Sequence, residues 1–88
     1  MDKITEHRLN IDKSDSVIVK ALEERLKNAI EIGLIKKEKG LPIYNPEREK
    51  IVLEHIKSLV KDDRFIEPIQ KIYQFIMDVT KDLEKWKN

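Results

Sequence analysis

The chain has 88 residues, a formal net charge of +1 from 18 Lys and Arg against 17 Asp and Glu, and no cysteine, which excludes a disulfide framework and thiolate chemistry. Charged residues make up 40% of it with the signs interleaved rather than blocked, an arrangement that argues against a polyanion-binding surface, so nucleic acid is not an expected partner. No apolar run approaches the ~20 residues of a membrane span and Met1-Asp2-Lys3-Ile4 lacks the apolar core of a signal peptide; a soluble, cytoplasmic chain with no membrane partner is expected, folded as one domain over residues 1–88.

The first predicted element is one long helix from about Lys3 to Glu38. It contains no proline and a single glycine, Gly33, while Ile4, Ile11, Ile18, Leu22, Ala29 and Ile32 recur at intervals of seven, four and three, and Gly40 ends it. At ~1.5 Å per residue such a helix measures about 52 Å, whereas a compact sphere of 88 residues is only about 30 Å across. A second predicted helix opens with Asn45 as N-cap and Pro46 at its first position, and carries Ile51, Leu53, Ile56, Leu59 and Val60 to about Asp62. A third begins near Pro68 and runs through Ile69, Ile72, Ile76, Val79 and Leu83 toward Trp86, which leaves Lys39–Tyr44 and Asp63–Glu67 as loops. Two short helices cover only part of the long one. The expected fold is therefore all-α, a three-helix chain with one long N-terminal helix that completes its core as an intertwined six-helix homodimer.

Several charges fall out of place in this pattern. With Ile18, Leu22 and Ile32 marking the apolar stripe, Arg25 lies seven residues from Ile18 and from Ile32, within roughly 20° of both on the helix. Lys36, eleven residues beyond Arg25, returns to nearly the same azimuth. Two cations on a core face require carboxylates, supplied by the chain as salt bridges or by a ligand, unless their long stems carry the charge to the edge. Arg8, seventeen residues before Arg25, sits about 100° away and does not share their face; if it reaches the same pocket, it comes from the other subunit. At the start of helix two, Asn45 reads as a cap, and Arg48 and Glu49 either as solvated charges or as part of a pocket with the helix amides. On helix three, Thr80 and Glu84 are four apart and share a face.

The joint order of these residues resembles the all-α class of chorismate mutase, and the resemblance spans nearly the whole chain. It is carried by Arg8-Leu9-Asn10-Ile11-Asp12-Lys13-Ser14-Asp15, then by Leu22-Glu23-Glu24-Arg25, Lys36, Pro42-Ile43 and Pro46-Glu47-Arg48-Glu49, and finally by Ile72-Tyr73-Gln74-Phe75-Ile76 with Thr80 and Glu84. The resemblance implies that Arg25, with Arg8 from the partner subunit, grips the two carboxylates of chorismate, and that Lys36 contacts a carboxylate and the ether oxygen. It implies that Glu49 accepts from the ring hydroxyl, helped by the backbone at Asn45 and flanked by Arg48, and that Thr80 fills the position of a small hydroxyl residue. Glu84 stands at the position of the second donor to the ether oxygen, where many bacterial relatives have Gln and some use Glu in its protonated form. On this basis Lys36, Glu84 and Arg25 are the expected catalytic residues.

The implied reaction, a Claisen rearrangement of chorismate to prephenate, needs no nucleophile, and neither a metal nor a cofactor is expected; His7 and His55 form no HxxxH pair. Lys81, Lys85 and Lys87 near Glu84 are expected to oppose its protonation, and the end of the helix and burial to favour it. Two other readings compete. One is an isochorismate-pyruvate lyase on the same fold, which the acid after Arg48 disfavours. The other is a non-catalytic helical dimerisation module whose inward charges pair with one another.

Overall fold

In a computed structural model, residues 2–86 are described, so Met1, Lys87 and Asn88 of the expected domain lie outside the described residues. Three helices follow one another: α1 (Lys3–Lys39), α2 (Pro46–Leu59) and α3 (Ile66–Trp86), with a single 3-10 turn at Asp63–Phe65 leading into α3. The fold is all-α, as the periodicity predicts, and among the described residues no helix is long and apolar enough to cross a membrane.

The caps explain most of the boundaries. Asp2 accepts from the Thr5 amide at 2.8 Å to start α1. Gly40 ends it in the left-handed conformation (φ 68°), where its amide and that of Leu41 satisfy the last carbonyls at Lys37 and Lys36. Asn45 Oδ1 accepts from the Arg48 amide at 3.1 Å, and Pro46 occupies the first position of α2 without forfeiting a bond.

Two boundaries differ from the sequence prediction. Helix α2 stops at Leu59 rather than near Asp62, because Asp62 leaves the helix to cap the 3-10 turn, accepting the Arg64 amide at 3.0 Å and the Phe65 amide on its carbonyl at 2.9 Å. Helix α3 starts at Ile66 rather than near Pro68. The 3-10 turn feeds straight into it, and Pro68 sits in the first turn, where an amide has no intrahelical partner to lose.

Helix α3 is the element on which both others pack; among the described residues α1 and α2 do not pack on each other. The small buried residues Ala29 and Gly33 of α1 let α3 approach closely along Met77, Thr80 and Glu84. A Cβ on Gly33 would stand 3.2 Å from both Cβ and Cγ of Glu84, which accounts for a glycine in mid-helix despite its ~1 kcal/mol helix penalty. Gly33→Val is expected to destabilise the protein by about 1–3 kcal/mol through overpacking, read as a lower thermal midpoint. An unchanged midpoint would mean that α3 can move away without loss.

The molecule is 56 Å long and 25 × 15 Å in the other two directions, so α1 runs its full length. Every residue from Glu6 to Ala21 is exposed, among them Leu9, Ile11, Val17 (69% exposed) and Ile18 (52%). Of the stripe markers, Ile32 is also half-exposed (49%) and Leu22 only partly covered. Within one chain, α3 covers the α1 stripe only in its C-terminal half.

Candidate active site

Where α1, the start of α2 and α3 meet, a cavity of about 300 Å³ opens, within the size range of small-molecule pockets. Its apolar wall is Ala29, Ile32, Val52 and Met77, and its polar lining includes Arg25, Lys36, Asn45, Arg48, Glu49, Thr80 and Glu84. Seven of the eight residues singled out in the sequence thus converge. Arg8 does not; it is exposed on the N-terminal half of α1.

The side chains of α1 point into the cavity because their azimuth is that of the packed stripe. Arg25 donates from Nη1 to Thr80 Oγ1 at 3.4 Å and lies 5.7 Å from the centre of the Tyr73 ring, so its guanidinium is steadied by α3 from two sides. Thr80 is buried and in turn donates to the Ile76 carbonyl at 2.6 Å. Lys36 Nζ donates to the carbonyl of Ile43 at 3.0 Å, tying the α1–α2 connection to the cavity.

The deepest polar group is Glu84, whose side chain is 8% exposed. Among the described residues its buried Oε2 has no hydrogen-bond partner, and the Lys36 ammonium stands 3.8 Å from it, beyond hydrogen-bond range. Burial raises the Glu84 pKa above the ordinary glutamate value, and the charge of Lys36 only partly opposes this. Of the neighbouring lysines expected to oppose it, the two among the described residues do not take that role. Lys81 turns away to Glu49, Lys85 is exposed, and Lys87 lies outside the described residues. Lys36 and a protonated Glu84 can both donate to one atom held about 2.8–3.0 Å from each. With Glu84 protonated, the cavity offers two donors to a single acceptor, beside a steadied arginine.

At the far wall, Glu49 accepts from Gln74 Nε2 at 3.2 Å on one oxygen and pairs with Lys81 Nζ at 2.9 Å on the other. Asn45 spends its side chain on the cap, so what it presents to the cavity is the backbone turn that starts α2. Arg48 is exposed at the cavity mouth. Sequence reasoning passed over the parts Gln74, Lys81 and the Ile43 carbonyl play, because each depends on a contact between elements with no periodic signature. Among the described residues no three His, Cys, Asp or Glu side chains are grouped to hold a metal ion.

Comparison with known proteins converges on one family. Residues 7–85 match the model of chorismate mutase type II. The chain is 37% identical over 86 residues to the chorismate mutase of Methanocaldococcus jannaschii, covering 97% of this chain and 87% of that one. It is 44% identical over 62 residues to the bifunctional chorismate mutase/prephenate dehydratase of Aquifex aeolicus, covering 70% of this chain and 17% of that longer protein. Among solved structures it is similar to a chorismate mutase (form II) from Thermus thermophilus, with a TM-score of 0.88, 31% identity and 96% of each chain covered.

Proposed function

Because this chain belongs to the chorismate mutase type II family, it is an isomerase whose reaction is the rearrangement of chorismate to prephenate in aromatic amino-acid biosynthesis, and we propose that the cavity between its three helices is where chorismate reacts. The observation that carries this reading is the pair formed by Lys36 and Glu84, an ammonium and a buried carboxyl oxygen 3.8 Å apart in a cavity lined with cations.

The rearrangement breaks a carbon–oxygen bond as a carbon–carbon bond forms, and no proton leaves the substrate. What an enzyme supplies is the compact conformer and stabilisation of the negative charge that grows on the ether oxygen. Arg25, held by Thr80 and Tyr73, grips one carboxylate with the planar fork suited to it. Lys36 reaches the ether oxygen and a carboxylate, and protonated Glu84 donates to the ether oxygen from the other side. Glu49 accepts from the ring hydroxyl, with the backbone at Asn45 and the guanidinium of Arg48 closing the mouth. Even the ~10⁶-fold low end of enzymatic acceleration, about 8 kcal/mol, is within reach of two aimed donors and a fixed conformer.

The uncovered N-terminal half of α1 supports a homodimer, six helices intertwined, with Arg8 of the partner subunit completing each cavity. Purified protein is expected to consume chorismate and release prephenate, and release of pyruvate instead would overturn the assignment in favour of a lyase. Mixing Arg8→Ala with Arg25→Ala protein is expected to recover part of the activity, since some heterodimers then hold one intact site. No recovery after demonstrated subunit exchange would rule out the shared site.

A further inference from the structure

The cavity wall holds another cation, Lys81, beside the one acid assigned to the substrate's hydroxyl. Its ammonium is 2.9 Å from Glu49 Oε2 and 3.3 Å from Asp78 Oδ1, and lies 4.6 Å from the centre of the Tyr44 ring. An ammonium has three donors. Two are directed at carboxylates and the remaining side faces the ring, so none is left for a molecule in the cavity. The hydrogen bond to Glu49 also raises the Lys81 pKa above the ordinary lysine value. On its other oxygen Glu49 accepts from Gln74, which donates to Asp78 as well, so Glu49 is held at both oxygens by side chains one face of α3 presents.

This arrangement answers a conflict built into the site. A dianion has to enter a cavity whose wall carries an ionised acceptor, and Arg25 and Lys36 are needed for its carboxylates rather than for neutralising Glu49. We propose that Lys81 is a positioning residue that holds the Glu49 carboxylate in place and cancels its charge, allowing the cavity to keep an acceptor for a hydroxyl while still attracting a dianion. This rests on the reading of the cavity as the chorismate site. Lys81 acts through Glu49 and does not touch the substrate.

The test is a double-mutant cycle in steady-state kinetics with chorismate. Lys81→Met keeps the aliphatic stem and removes the charge; it is expected to raise KM about tenfold with kcat within about threefold of wild type, because attraction of the dianion is lost equally from ground and transition states. Lys81→Arg is expected to restore KM. In a Glu49→Gln background the same Lys81→Met change is expected to alter KM by less than about twofold, since the charge it offsets is gone. An unchanged KM for Lys81→Met, or an equal effect in both backgrounds, would overturn the assignment. If Lys81→Met does not yield folded protein by its melting curve, Lys81→Gln takes its place in the cycle. A wild-type protein inert toward chorismate would instead overturn the reading of the cavity, and this assignment with it, an outcome distinct from additive energies in an active enzyme.

Discussion

Lys36→Ala is expected to lower kcat by about 10³-fold, the loss that follows removal of one aimed donor, while the helical signal and thermal midpoint stay close to wild type. The large effect arises because the charge on the ether oxygen grows only in the transition state, so the missing donor is felt there and not in binding alone. The small structural effect follows from what Lys36 does in the resting chain. Among the described residues its side chain donates one hydrogen bond, to the Ile43 carbonyl, and its charge is not paired within hydrogen-bond distance of Glu84. Lys36 also lowers the Glu84 pKa, so its removal is expected to move the pH profile of the residual activity upward. Unfolding of the variant, with full activity in whatever fraction remains folded, would show that Lys36 is a structural residue.

The second large effect concerns Glu84. A carboxyl group donates only when protonated, so wild-type kcat is expected to be highest at acidic pH and to fall as pH rises through the Glu84 pKa, which burial holds above the ordinary glutamate value. Glu84→Gln supplies a donor that does not titrate; it is expected to flatten the profile and raise activity near neutrality. Glu84→Ala, which removes the donor at every pH, is expected to cost about 10²–10³ in kcat. A flat wild-type profile, unchanged by Glu84→Gln, would show that Lys36 acts on the ether oxygen alone.

Much of this site is legible in the chain because it is written in local geometry. The inward line of Arg25 and Lys36 is a matter of helical angle, and both side chains do face α3 and the α1–α2 connection. Thr80 and Glu84, four apart, share a face and are both buried. The caps at Asn45 and Gly40 follow from residue type, since one has a side-chain acceptor at the right reach and the other tolerates positive φ. Residue order also carried the family, which no single motif here specifies.

What the amino-acid sequence determined by itself is therefore the set of helices, the length of α1, and which side chains each helix turns inward, all properties of contacts within a few residues along the chain. Only the tertiary structure decided how the charges divide among partners. Lys81 goes to Glu49 and not to Glu84; Glu84 Oε2 is left without a hydrogen bond among the described residues; and the small size of Gly33 answers the closeness of Glu84 rather than a need of α1 itself. The end of α2 at Leu59 was decided in the same way, by Asp62 leaving the helix to cap the next turn. The reason is physical. A helix's azimuth is set by its own backbone, whereas a long charged side chain has many rotamers, and the one it adopts depends on groups that the fold brings from far along the sequence.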